Sequence, residues 1–262
     1  MGVFKLINMK LPSVLVFSGG GVRGVSYVGA LQQLCEQTGF NYWSRGEGGK
    51  KNIVHTCGTS IGALVALLVA CGMKPEKLVD MVLQTRMDTV VNVSAITILS
   101  DWGLTDGSKL IAWVESLLFS CGVPPKITLG EFEAFTGVRF TCVATDINWN
   151  KATYLSADNF PSMPVTEAVC MSMSLPLLFK PREWPVVVDT LDDVRRCDVL
   201  HVNGGGEPVC GSRVLVRHSD WAKAKSGTVT SVGTEPDTLT VDFEQCHLFL
   251  DGGLADNFQC ST

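Results

Sequence analysis

The sequence has no C-x-x-C pair, no apolar run long enough to span a bilayer and no excess of positive charge. Each absence removes a class of function. Cysteines with two residues between them are a usual mark of a zinc site, and none occur. The longest nearly unbroken apolar stretch, Ile61 to Met73, falls well short of the roughly 20 residues a spanning helix needs. A net charge of -5 argues against a broad basic surface for nucleic acid. Charged residues make up only 18%, but 46% are hydrophobic, which is the balance of a packed chain and not of a disordered one. Met1 to Leu11 carries Lys5 and Lys10 but no long apolar run and no small-residue cleavage site, so no signal peptide is expected. Leu6 stands where a myristoylation signal at Gly2 needs Ser or Thr. There is no tandem repeat and no low-complexity tract. The 262 residues suffice for one good core with a small second module.

Cysteine itself is plentiful, with ten scattered along the chain. Cys35, Cys57, Cys71, Cys121, Cys142 and Cys170 fall inside apolar periodic segments, where buried free thiols are common. That pattern favours a reducing compartment, so a cytoplasmic protein is expected, with peripheral contact to membranes allowed. Asn92-Val93-Ser94 is a lone glycosylation sequon of the kind chance supplies often.

Short β-branched runs alternate with helical patterns. Ser13 to Phe17 reads as a buried strand, and Gly19-Gly20-Gly21-Val22-Arg23-Gly24 as a turn. Val25 to Gln37 reads as a helix with Val28, Leu31, Leu34 and Cys35 on one stripe. After a polar loop from Asn41 to Asn52, Ile53 to Cys57 is a second strand. It runs through Gly58-Thr59-Ser60-Ile61-Gly62 into an apolar helix from Ala63 to Cys71. Helices are expected over Pro75 to Thr85, Ser108 to Ser120 and Val165 to Met173, and a strand over Val138 to Ala144. Such alternation predicts an α/β fold with a mostly parallel central sheet covered on both faces. After Asp189 the composition changes. Val214 to Val216, Thr228 to Thr230 and Leu239 to Val241 look like short strands, with turns at Gly204 to Gly206 and Ser226-Gly227. Residues 190–245 therefore read as a small β-rich insert within a larger domain of 11–189 plus 246–262. Gly211 to Phe243, with Asp220-Trp221, loosely resembles an SH3-like barrel module.

The strongest chemical signal is Gly58-Thr59-Ser60-Ile61-Gly62. A serine hydroxyl is a poor nucleophile unless it is held exposed and beside a base. A sharp strand-to-helix turn does the holding, and Gly58 and Gly62 remove the Cβ atoms that would collide in it. The helix that follows points its free amides at Ser60. Two readings fit the turn Gly19 to Gly24. As G-x-G-x-x-G it suggests a dinucleotide fold, but the stretch about 20 residues on, Phe40 to Ser44, has neither acid nor strand. As an oxyanion hole, its consecutive amides converge on one oxygen, each worth about 2.7–4 kcal/mol in the transition state. Asp251-Gly252-Gly253 follows a strand-like run from Cys246 to Leu250 and supplies the candidate base. None of the four histidines sits in a glycine-rich loop placed to take the serine proton. His55 reads as a core histidine, and His247 shares a strand face with Asp251.

These three motifs, in this order, resemble the patatin-like phospholipase family. Thr145-Asp146 and Ser172-Met173-Ser174-Leu175-Pro176 resemble its internal landmarks, and the likeness covers Leu11 to Pro185 and Leu248 to Phe258. The resemblance implies a three-layer α/β/α sandwich and a Ser–Asp dyad in place of a triad. Ser60 is then the nucleophile on a lipid ester, and Asp251 accepts its proton and later activates water. The turn Gly19, Gly20, Gly21, Arg23 and Gly24 forms the oxyanion hole, with Gly252 and Gly253 completing the D-G-G motif. No metal or organic cofactor is implied. The implied activity is of the phospholipase A type, the partner a phospholipid or other acyl-ester lipid met in transient contact with a membrane surface, and nucleic acid plays no part. Burial near Phe249 and Leu250 is expected to raise the Asp251 pKa. Val90, Val91, Ile96, Ile98 and Leu99 read as core or as an interfacial surface. Two departures support an alternative. The insert is longer than the family's usual segment there, and the chain ends eleven residues after Asp251. On that alternative the chain is a catalytically impaired, truncated, lipid-binding or regulatory member that uses the insert for partner binding.

Overall fold

A computed structural model of the chain describes residues 11–44, 51–84, 107–176, 178–191, 197–201, 210, 212–218, 225–232 and 239–254. Its elements are β1 (Val14–Phe17), α1 (Val25–Thr38), β2 (His55–Thr59), α2 (Ile61–Ala70), α3 (Pro75–Gln84), α4 (Ser108–Ser120), α5 (Leu129–Thr136), β3 (Arg139–Asp146), β4 (Lys151–Ser156), α6 (Val165–Ser172), β5 (Arg182–Leu191), β6 (Cys197–His201), β7 (Arg213–His218), β8 (Lys225–Val232) and β9 (Leu239–Asp251). They group into two compact units. One is Met1–Arg182 with Leu248–Thr262, and the other is Glu183–His247.

The first unit is an α/β/α sandwich around a mixed, mostly parallel central sheet. β1, β2 and β3 lie side by side and parallel, the arrangement that helical crossovers enforce. β4 returns antiparallel on β3, and the end of β9 pairs antiparallel with β3 through Ala144↔Asp251 and Asp146↔Phe249. That register carries the last strand to the same end of the sheet as the end of β2. The apolar run after Ser60 becomes α2, buried on every side from Gly62 to Ala70. It is a core helix, and no helix among the described residues is long and apolar enough to cross a membrane. α1 buries Val28 and Leu31 and ends at Gly39, whose φ of +71° lets its amide reach the Cys35 carbonyl.

β1 departs from the expectation of a buried strand. Among the described residues it is an outer strand of this sheet, with Val14 44% and Val16 45% exposed. Apolarity alone does not distinguish an outer strand from a central one. α5 and β4 had no clear periodicity to announce them. α5 instead starts on a reciprocal cap, in which the Thr128 hydroxyl accepts from the Glu131 amide at 3.3 Å and the Glu131 carboxylate accepts from the Thr128 amide at 3.0 Å. The Thr128 amide and the Thr128 hydroxyl, each interacting with the Glu131 carboxylate, hold that carboxyl below its usual pKa. Thr128→Ala is expected to cost about 1 kcal/mol, read as a fall in melting temperature of about 2–4 °C. An unchanged melting curve would show that the cap is dispensable.

In the second unit the ladders from β6 to β9 are antiparallel. β6 pairs β7, β7 pairs β8 and β8 pairs β9, with a register shift between Val229 and Ser231. Val214, Val216, Val229, Val241 and Phe243 are buried, the alternation expected of a sheet with one covered face. Ser226-Gly227, expected as a turn, lies inside β8, where Gly227 pairs with Val214 and Phe243. The β-branched residues that follow it extend the ladder through the glycine. The sequon Asn92 to Ser94, the apolar residues Val90, Val91, Ile96, Ile98 and Leu99, the turn Gly204 to Gly206 and Asp220-Trp221 lie outside the described residues.

Candidate active site

β2 runs into α2 through Ser60, which adopts φ +55° and ψ -126°. A non-glycine residue rarely occupies that region, and the strain persists only where neighbours enforce it. Here they do. A Cβ at Gly58 would overlap the Gly62 carbonyl, and one at Gly62 would overlap the Phe17 and Ser18 carbonyls at the end of β1. The two glycines thus let β1, the turn and α2 close on one another, and Ser60 is left at the cap of a helix whose first amides have no intrahelical acceptor.

The Ser60 hydroxyl donates to Asp251 Oδ2 at 2.6 Å, across 191 residues of sequence. Both side chains are buried, at 7% and 3% exposure. Asp251 is fixed from four directions. Its Oδ1 accepts from the Gly253 amide at 2.8 Å, its amide donates to the Ser174 carbonyl at 2.9 Å, its carbonyl accepts from the Thr145 hydroxyl at 2.8 Å, and Oδ2 holds Ser60. Gly252 lies so close to β3 that a Cβ there would overlap the Val143 carbonyl. Burial raises the Asp251 pKa above the ordinary carboxylate value, while the bonds from Ser60 and Gly253 pull it back without cancelling the shift. A carboxylate in this state is a stronger base than a solvated one.

His55 lies elsewhere on β2. Its Nε2 is 3.0 Å from the Thr141 hydroxyl and 3.2 Å from the Cys57 thiol, and burial, helped by Arg139, lowers its pKa. His201, His218 and His247 belong to the second unit.

The glycine turn packs against the start of α2. Gly21 to Gly24 forms a single 3-10 turn, Gly21 has φ +54°, and a Cβ on buried Gly24 would come within 2.6 Å of Ile61 Cγ1. Arg23 is exposed, with its amide bonded to the Gly20 carbonyl at 3.1 Å. Tyr27 pins the entry to the turn. Its hydroxyl donates to the Ser18 carbonyl at 2.9 Å, bonds the Ser18 hydroxyl and stacks edge-on against Phe17. β2 ends in Thr59, so no acid stands at that strand end where a dinucleotide fold needs one.

A cavity of about 320 Å³ opens beside Ser60. Val22, Ile61, Leu64, Leu110, Trp113 and Phe179 are among its walls, which are almost wholly apolar. No group of three metal-ligating side chains occurs among the described residues. Ser60, Asp251 and the glycines are legible in the sequence, whereas Thr145, Ser172 and Ser174 stand there only as landmarks and nothing local marks Tyr27. A lone hydroxyl carries no local signal of the bond it will make after folding.

The family model for patatin-like phospholipases matches residues 15–208. R571 of Acanthamoeba polyphaga mimivirus is 26% identical over 170 residues, covering 64% of this chain and 53% of its own. YqhO of Bacillus subtilis (strain 168) is 25% identical over 182 residues, covering 63% and 56%. The chain thus spans about half the length of these curated relatives. Among solved structures, VipD from Legionella pneumophila aligns with 16% identity and a TM-score of 0.47, over 94% of this chain and 47% of that one. ExoU of Pseudomonas aeruginosa in complex with SpcU aligns with 18% identity and a TM-score of 0.45, over 63% and 39%. With the match extending from β1 through the serine turn to the middle of the second unit, the chain belongs to the patatin-like phospholipase family.

Proposed function

We propose that the chain hydrolyses fatty acyl esters of phospholipids, with Ser60 as nucleophile and Asp251 as its base. The observation that carries the reading is the 2.6 Å bond between the two side chains beside an apolar cavity. As Ser60 Oγ bonds to the ester carbonyl carbon, its proton passes to Asp251 and the carbonyl oxygen becomes an oxyanion. The amides of Gly19, Gly20 and Gly21 and the first amides of α2 are the donors for that charge, and Arg23 supports the turn that carries them. Asp251 returns the proton to the leaving alcohol, then takes one from water as the water attacks the acyl-serine. Free fatty acid and unmodified Ser60 result. This chemistry calls on no metal ion or organic cofactor.

The cavity suits an acyl chain, since its walls gain nothing from a polar ligand. Val22 and Val25 of its lining are 82% and 53% exposed, and Leu175 is 40% exposed. Exposed apolar side chains around an apolar opening suit transient contact with a membrane surface.

The test is release of free fatty acid from mixed phospholipid vesicles without added calcium, comparing wild type with Ser60→Ala. Wild-type release that falls by about 10⁴-fold or more in the variant is the expected result. A wild type that is folded by circular dichroism yet as silent as Ser60→Ala would favour a lipid-binding or regulatory role for this chain.

A further inference from the structure

Ser172 is the last residue of α6, fully buried and 112 residues from Ser60 in sequence. Its hydroxyl accepts the Ser60 amide at 2.9 Å and donates to the Val143 carbonyl at 2.5 Å. That carbonyl is also the surface on which Gly252 rests, and the next residue on β3, Ala144, pairs with Asp251. Both reacting side chains therefore take their position from one point on β3. Asp251 does so through the close approach of Gly252, and Ser60 does so through the hydroxyl of Ser172. The Ser60 backbone needs such a tether because its positive φ is a conformation that a serine leaves when nothing holds it.

We propose that Ser172 is a positioning residue that holds the Ser60 hydroxyl in line with Asp251 and, by occupying the Ser60 amide, excludes that amide from the oxyanion hole. The inference rests on the acyl-hydrolase reading above. The exclusion follows from the count of donors. A backbone amide has one hydrogen, and here it is directed at a buried acceptor behind the nucleophile. The oxyanion is then left to the glycine turn and the first amides of α2. Serine suits position 172 because the single hydroxyl must both accept and donate, within a site that leaves no exposed surface. Alanine removes both bonds and leaves a buried amide without its acceptor.

The experiment compares wild type, Ser172→Ala and Ser172→Cys in two assays, hydrolysis of a short-chain ester and phosphonylation of Ser60 by a fluorophosphonate probe. Ser172→Ala is expected to lower kcat by about 10²-fold with KM within about twofold, and to slow phosphonylation in parallel. A residue that served only the stability of α6 would lower the melting temperature and leave both rates per folded molecule unchanged, which would overturn the inference. Ser172→Cys keeps a weak donor and acceptor in place and should give intermediate rates, so it decides the matter if the alanine variant does not fold. A cysteine variant at wild-type rate in both assays overturns the inference. A wild type that neither hydrolyses ester nor reacts with the probe overturns the acyl-hydrolase reading and carries this inference down with it, whereas a reactive wild type with an indifferent Ser172→Ala overturns the inference alone.

Discussion

Asp251→Asn is expected to lower kcat for acyl-ester hydrolysis by about 10⁴-fold and, at neutral pH, to make the folded chain more stable than wild type. On the proposed mechanism the first effect follows from the loss of the base that the Ser60 hydroxyl faces across 2.6 Å. The second follows from burial, which raises the Asp251 pKa in the folded state. Below the unfolded pKa both states carry the proton and nothing is lost. As pH rises from the unfolded toward the folded value, the unfolded chain releases its proton first and the fold loses stability, and that loss persists at higher pH. Asparagine carries no charge to desolvate, and its amide can still accept from Gly253 and donate toward Ser60. The wild-type rate should fall as pH drops through the raised pKa, because the proposed base is then protonated. Rate–pH profiles and thermal melts of the two proteins check both effects. Retained activity in a folded Asp251→Asn would remove Asp251 from the mechanism, and a lower melting temperature would show that its charge is stabilised in place.

Gly62→Ala is expected to prevent the first unit from folding stably, with a loss of more than about 4 kcal/mol. The added methyl would meet the Phe17 and Ser18 carbonyls, which are backbone atoms at the end of β1 and just after it and cannot rotate away. Relief requires β1 to move off α2, and the glycine turn that follows β1 moves with it. Gly29→Ala in α1 is the control, because nothing lies within 4 Å of a Cβ there. It should be neutral or stabilise by up to about 1 kcal/mol. Urea unfolding of the two variants beside wild type distinguishes them, and a Gly62→Ala protein of wild-type stability would contradict the packing of the serine turn.

Features that depend on neighbours along the chain were legible in the sequence. The G-x-S-x-G string stands between a strand and an apolar helix, so the turn, its glycines and the candidate nucleophile can be read locally. Ser108–Ser120 follows from its pattern and has the expected bounds. Asp251 could be nominated from the strand and glycines around it. Even a missed element such as α5 had a local mark, the Thr128–Glu131 cap, which apolar periodicity does not detect.

The features that escaped the sequence arise from contacts between distant segments. Val14 and Val16 look like core residues until the sheet order leaves β1 at an edge. Gly227 looks like a turn until two neighbouring strands pair with it. Ser172, Ser174 and Thr145 stand in stretches that resemble family landmarks, but nothing local shows their contacts until the β3–β9 register and the end of α6 direct them at Ser60 and Asp251. By itself the sequence determined which residue types stand at each turn and helix start, and through them the fold class and the candidate nucleophile. Tertiary structure alone decided that the Ser60 hydroxyl meets Asp251 at 2.6 Å, that the carboxyl is buried enough for its pKa to rise, and which hydroxyls hold the pair. Hydrogen bonds and desolvation act over a few ångströms of space, and 191 residues of chain lie between Ser60 and its partner.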